Sequence, residues 1–335
     1  MNLIASTPEN DWQSLLKGAI SSVDDLLSQV GLSPEQVDLS LEATHAFALR
    51  VPQPYLSRIE KGNPHDPLLL QVLPQMAEMI SANGYSSDPL EEMDSKPAPG
   101  LIHKYKGRVL LILSGACAIN CRYCFRRHFP YEDNQLGKAQ WQQALAYIQA
   151  DTSISEVIFS GGDPLATTDQ RLARMIADLE SIPHIQRLRI HTRLPVVIPQ
   201  RVTQTLCQML KDSRLHTVIV LHINHPNEID RHVSESLQRL RIAGITLLNQ
   251  AVLLRGINDH AEILKKLSEK LFEDGVLPYY LFLLDRVIGA AHFDINDTEA
   301  KQLVKELQSC LPGYLVPRLA REIPGRPSKT LINLA

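Results

Sequence analysis

Six short apolar runs recur through the last two-thirds of the chain, separated by amphipathic stretches of helical length. They are RVLLIL from Arg108, EVIFSG from Glu156, RLRIHT from Arg187, TVIVLHI from Thr217, TLLNQAVLL from Thr246 and PYYLFLLD from Pro278. Their starts lie roughly thirty to fifty residues apart, the length of a strand–helix unit whose crossover joins parallel strands. Six such units predict an α/β fold, a partial six-unit (β/α) barrel of TIM type. Barrels of this kind gather their chemistry at the C-terminal ends of the strands, and polar residues collect there in this chain. A cysteine-rich loop follows the first run, and SGGDP (160–164) ends the second. His222, Asn224 and His225 end the fourth, Asn249 and Gln250 lie in the fifth, and the sixth reaches Asp285.

The loop after the first run places Cys117, Cys121 and Cys124 in a CxxxCxxC spacing. A cubane 4Fe-4S cluster takes four thiolates, so three leave one iron open to another ligand, as an open zinc site does. His128 lies close enough in sequence to close a Cys3His zinc site instead, and spacing leaves that alternative standing. Disulfides are disfavoured, because five cysteines are an odd number and MNLIASTPENDW has neither the basic nor the apolar region of a signal peptide. A reducing, cytoplasmic setting is expected. Cys207 and Cys310 fall in helical stretches and read as packing residues.

The 335 residues are 44% hydrophobic, enough for one large α/β unit with an appendage. A formal charge of −3 with interspersed signs argues against nucleic acid as a partner. No apolar stretch approaches the ~20 residues that span a bilayer, so no membrane association is expected. Residues 1–95 read as a helical N-terminal region. Thr7 and Pro8 form a start signal, followed by one apolar face through Trp12, Leu15, Leu16, Ala19, Ile20, Val23, Leu26 and Leu27. Ser33, Pro34 and Gln36 repeat the start signal, and SKPAPG (95–100) reads as a linker. The expected division is therefore 1–95, a barrel core over 96–290, and a C-terminal helix and short segment over 291–335.

CxxxCxxC with an aromatic residue, Tyr123, before the third cysteine resembles the radical S-adenosylmethionine superfamily. FRRHF after Cys124 and the distant IPGRPSKT resemble the lysine 2,3-aminomutase family. The similarity runs from about Gly100 to Thr330. The segments ALRVPQPYLSRIEKGNPHDPLL, FRRHFPY and LAREIPGRPSKT resemble most its compact bacterial branch, whose β-lysine is attached to elongation factor P.

The resemblance implies three cofactors: a 4Fe-4S cluster on Cys117, Cys121 and Cys124, S-adenosylmethionine, and pyridoxal 5′-phosphate on Lys329. Without it, a lysine in a Pro- and Gly-containing segment would be read as solvated surface. Arg126 matches the arginine that holds the substrate carboxylate, a task suited to a bidentate guanidinium. Asp285 and Glu322 match the two acids that receive the side-chain ammonium of lysine, with Glu322 standing where the lysine enzymes use aspartate. Gly161, Gly162 and Asp163 match the turn approaching the methionine end of S-adenosylmethionine, where Asp163 can accept from its amino group. Tyr123, His222 and Gln250 match polar or aromatic positions around the same cofactor, although His222 with His225 also reads as a metal pair or as ordinary core histidines. Lys104, Tyr105 and Arg108 match a segment contacting pyridoxal phosphate, with Lys104 where the family commonly has arginine.

The implied reaction converts (S)-α-lysine to (R)-β-lysine. Cleavage of S-adenosylmethionine gives a 5′-deoxyadenosyl radical that takes hydrogen from carbon 3 of lysine joined to pyridoxal phosphate, and the amino group then shifts. The implied partners are L-lysine, a reductant such as flavodoxin or ferredoxin, and elongation factor P with its β-lysine ligase. A homo-oligomer is compatible with all of this, but the structural zinc and tail-mediated assembly of the longer relatives are not expected, because the chain stops soon after Lys329. The competing readings are an aminomutase for another amino acid, general β-lysine biosynthesis, and a non-catalytic metal-binding scaffold.

Overall fold

A computed structural model describes residues 11–134 and 136–335. Its centre is one sheet of nine strands in sequence order: β1 Leu101–Tyr105, β2 Arg108–Ser114, β3 Glu156–Gly161, β4 Arg187–Thr192, β5 His216–Leu221, β6 Thr246–Val252, β7 Leu277–Phe282, β8 Arg318–Arg321 and β9 Thr330–Leu331. β2 to β8 are parallel, whereas β1 and β9 are antiparallel to their neighbours and leave the sheet open. The six predicted strands are β2 to β7, four starting at the predicted residue and β5 and β7 one residue earlier. β8 adds a seventh parallel strand from the segment expected to be only a helix and tail. β1, β8 and β9 escaped the sequence reading because each is short, with too few residues to display an alternating pattern.

Helices Lys138–Ala150, Asp169–Glu180, Gln204–Asp212, Arg231–Ile242, Ala261–Glu273 and Asp297–Cys310 carry the crossovers. Four are started by side chains that accept a backbone N–H in the first turn: Thr168 from Arg171, Thr203 from Leu206, Asp230 from Val233 and Asn296 from Glu299. The strand residues alternate accordingly. In β4, Leu188 and Ile190 are buried against the helices, while Arg189 and His191 face a cavity inside the curved sheet.

The N-terminal region departs from its expected single apolar face. Trp12 and Leu15 belong to helix Asp11–Lys17, and a second helix, Val23–Val30, starts at Ser22, whose side chain accepts from Asp25 N. The start signal at Thr7 and Pro8 lies outside the described residues. The signal at Ser33 makes only one 3-10 turn, in which the Gln36 side chain accepts from Ser33 N at 2.8 Å. One apolar core runs from Trp12 to Leu319, joining this region to the sheet. Among the described residues, no helix is long and apolar enough to cross a membrane. All five cysteines are free. Cys207 is half-buried against the core, but Cys310 is exposed at a helix end and is not a packing residue.

Candidate active site

A cavity of about 690 Å³ lies on the inner face of the sheet. The cysteine loop contributes Cys117, Cys121, Tyr123, Cys124 and Arg126 to its wall, and the turn after β3 contributes Gly161, Gly162 and Asp163. Lys104, Tyr105 and Arg108 enter from β1 and β2, His222 and Gln250 from the β5 end and β6, and Asp285, Glu322 and Lys329 from the segments after β7 and β8. Every residue that the resemblance assigned to a cofactor or to the substrate thus faces one space, although Arg108 and Lys329 are 221 positions apart.

Two glycines set the cysteine loop against the sheet. Gly161 has φ +129°, and a Cβ there would meet Ser114 O at 2.4 Å; one on Gly162 would meet Ala116 O at 2.5 Å. Gly162 N donates to Ser114 O at 2.7 Å, and Asp163 N to Ala116 O at 2.9 Å. The close approach that requires glycine is therefore to the start of the cysteine loop. Asp163, expected to accept from the amino group of S-adenosylmethionine, accepts instead from Leu165 N, Thr192 Oγ1, Arg193 N and Leu194 N at 2.7–3.0 Å. Four donors fill the acceptor positions of a carboxylate, so Asp163 ties the end of β3 to that of β4.

Arg126 is similarly engaged. Its Nε and Nη2 donate to Glu92 at 2.7 Å each, and Nη1 donates to Ser160 Oγ at 3.0 Å and Gly161 O at 3.2 Å. One of five N–H groups remains. Glu92 follows Glu91, whose φ of 48° makes it the one non-glycine residue in the left-handed region among the described residues. Backbone held in that region tends to mark a functional site. Behind the loop, Glu78 accepts from Arg122 Nε at 2.8 Å, and from Arg122 Nη2 and Arg127 Nη2 at 2.7 Å each. Glu78 and Glu92 lie in no motif, so nothing in the sequence flagged them.

The C-terminal corner is the ionic part of the cavity. Lys329 Nζ donates to Glu322 Oε2 at 2.9 Å and lies 4.7 Å from the centre of the Phe282 ring. Its side chain is 19% exposed, unlike a solvated surface lysine. Lys104 Nζ lies 3.6 Å from Glu322 Oε1 and donates to Leu90 O at 2.6 Å. Burial raises the pKa of Glu322, but Lys329, Lys104 and a hydrogen bond with Tyr105 outweigh it, and the net shift is downward. Asp285 moves the opposite way, pushed up to about 7 by burial and then by Glu322, with Lys329 only partly opposing. Arg108 stacks on the Tyr105 ring at 4.6 Å.

On the other side, Gln250 Nε2 lies 3.3 Å from His222 Nε2. Burial, then Arg193, lowers the His222 pKa to about 4, so the imidazole is neutral near pH 7. His225 is not paired with it: its Nδ1 accepts from Asn227 N at 3.1 Å. Asn224 Nδ2 donates to the Tyr123 hydroxyl at 2.7 Å, and Asn249 brackets the backbone of Ile223, so both fasten strand ends.

This lining fits the groups expected in it. Buried Arg189 Nε, His191 Nε2 and Arg193 Nε have no protein partner and their residues line the cavity, so each is free to take a ligand or water there. Among the described residues, no three His, Cys, Asp or Glu side chains gather around a single point. His128 lies within 3.2 Å of Ile288 O and closes no Cys3His set. Burial raises the Cys117 and Cys124 pKa values, and their cysteine neighbours raise them further.

The Radical SAM superfamily profile matches residues 111–267, which hold the cysteine loop and β3 to β6. An L-lysine 2,3-aminomutase of Haemophilus influenzae is 57% identical over 96% of each chain. That of Escherichia coli K12 is 51% identical over 98% of this chain and 96% of its own. The L-lysine 2,3-aminomutase of Clostridium subterminale is 36% identical, covering 96% of this chain and 77% of its own. The resemblance carried by CxxxCxxC, FRRHF and IPGRPSKT therefore extends over nearly the whole length, together with the cluster, S-adenosylmethionine and pyridoxal phosphate that it implies, and this chain belongs to the lysine 2,3-aminomutase family of radical S-adenosylmethionine isomerases.

Proposed function

We propose that this chain converts (S)-α-lysine to (R)-β-lysine by radical chemistry assisted by pyridoxal phosphate, in the cytoplasm, and that the product serves the modification of elongation factor P. The observation that carries the reading is the meeting, in one cavity, of an amine that can hold the carbonyl cofactor, an acid pair and a three-thiol loop. When bound, the cluster with S-adenosylmethionine supplies a radical able to take hydrogen from an unactivated carbon, and pyridoxal phosphate supplies the π-system across which nitrogen shifts.

The chain's own residues bind, orient and exclude water. Cys117, Cys121 and Cys124 hold the cluster, and Lys329 holds pyridoxal phosphate. The remaining N–H of Arg126 is available to the substrate carboxylate, and a carboxylate displacing Glu92 would gain the fork. Asp285 and Glu322 receive the substrate ammonium, a charge that disfavours glutamate as a substrate. Lys104, Tyr105 and Arg108 supply cationic and phenolic groups toward the pyridoxal phosphate. Gly161, Gly162, His222, Gln250 and Tyr123 form the wall toward S-adenosylmethionine, where a neutral His222 offers both a donor and an acceptor. Ile158, Val218 and Leu248 present apolar surface that keeps water from the radicals.

Anaerobic incubation with L-lysine, S-adenosylmethionine and dithionite, followed by stereochemical identification of the product, tests the reaction. Turnover of glutamate and not lysine would mean that Asp285 and Glu322 were misread. A flavodoxin- or ferredoxin-type protein is the proposed donor. Elongation factor P that is fully modified in a strain deleted for this gene would sink the modification role while leaving the reaction standing.

A further inference from the structure

β4 ends at Thr192, and the next residue sends a guanidinium to the cysteine loop. Arg193 Nη1 donates to Cys121 Sγ at 2.6 Å, and Nη2 donates to Gln71 Oε1 at 2.7 Å and Glu228 Oε2 at 2.8 Å. Its backbone N–H is held by Asp163 at 2.8 Å, and its guanidinium carbon lies 5.5 Å from the Tyr55 ring centre and 5.8 Å from that of Tyr123. Gln71 comes from the N-terminal region, Glu228 from the turn after β5 and Asp163 from the turn after β3. Anchors from three parts of the chain leave the fork little freedom to move.

Glu228 balances the guanidinium charge, whereas a neutral thiol is a weak acceptor that adds little to the fork. A thiolate bound to iron is a charged acceptor, for which the contact is charge-assisted. The arrangement is also asymmetric. Among the described residues, neither Cys117 nor Cys124 receives a hydrogen bond from a cationic side chain, whereas Cys121 does. Hydrogen bonds to cluster sulfurs and local charge are established determinants of cluster potential.

We propose that Arg193 is a positioning residue that sets the reduction potential of the cluster through its hydrogen bond to the Cys121 thiolate. This rests on the reading that the three loop cysteines hold the cluster. One electron from an external low-potential donor converts the cluster from its 2+ to its 1+ state, with no bond made or broken. The site gains one negative charge, and a guanidinium N–H fixed at a coordinating sulfur favours that state. Arg193 thereby determines how readily this enzyme is made competent to cleave S-adenosylmethionine.

The test is a redox titration followed by electron paramagnetic resonance on the reconstituted wild type, Arg193→Lys and Arg193→Gln, without S-adenosylmethionine or lysine, alongside iron and sulfide analysis. Arg193→Gln should shift the midpoint to more negative potential, lowering the ratio of reduced to oxidised cluster at the wild-type midpoint about tenfold, which is about 59 mV for one electron. Arg193→Lys keeps the charge and loses the fork, and should fall between. An unchanged midpoint in Arg193→Gln at full cluster content overturns the proposal. If Arg193→Gln loads no cluster, the midpoint of Arg193→Lys decides in the same way. Failure of both variants to load one would make Arg193 a scaffold of the loop and equally overturn it. A wild type that binds no iron and sulfide would instead refute the cluster reading beneath it.

Discussion

Lys329 and Glu322 form a 2.9 Å ion pair across the turn that joins β8 to β9, and Glu322 is held from its other oxygen by Lys104 at 3.6 Å. The amine assigned to pyridoxal phosphate and an acid assigned to the substrate ammonium are thus partners before either has its ligand. Lys329→Ala should abolish the label that borohydride fixes on the wild type with pyridoxal phosphate, and lower activity by on the order of 10³-fold or more. Peptide mapping checks it; a wild-type label on any other lysine defeats the assignment.

Arg126→Lys replaces a planar fork with a point charge. Activity should fall about 100-fold or more while iron content stays near that of the wild type, because the role proposed for the arginine is to hold the substrate carboxylate. Parallel loss of activity and iron would make Arg126 a support of the cysteine loop. Measured together, lysine turnover and iron per chain separate the two.

Asp285 gives the site a pH dependence. Its carboxyl, pushed up to about 7 by burial and by Glu322, is largely protonated below neutrality and attracts an ammonium only above it. The KM for lysine should rise as pH falls below about 7, approaching tenfold per unit. An acid whose folded pKa exceeds its unfolded value of about 3.9 loses stability as pH rises between the two. The ligand-free protein should therefore lose stability from about pH 4 to 7, and Asp285→Asn should remove that component. Thermal melts across pH, with and without lysine, measure it; identical profiles for wild type and Asp285→Asn would refute the shift.

Glu78→Ala should destabilise the chain by ~3–5 kcal/mol, because it strips the shared counter-charge from two buried guanidinium groups. Arg122 and Arg127 belong to the cysteine loop, so iron uptake should fall with stability. Urea unfolding and iron analysis test this, and a change within about 0.5 kcal/mol would contradict the pairing.

The crossover strands were legible because each is a short apolar run set between stretches of helical length, and the cysteine loop because three cysteines lie within eight residues. Lys329 was legible only through resemblance, since nothing in PSKT signals an amine turned into a cavity. Gly161 was recognised as a close-approach residue, but what it approaches, Ser114 O, became visible only in the fold.

The amino-acid sequence alone determined the order of units, the thiol loop and the family, all of them properties of neighbouring residues. The tertiary structure decided what stands opposite each charge. Arg126 meets Glu92 across 34 positions, Arg122 meets Glu78 across 44, and Arg193 meets Cys121 across 72. A periodic pattern records which side of an element is buried; it carries no information about the partner that neutralises a charge there, because that partner comes from another part of the chain.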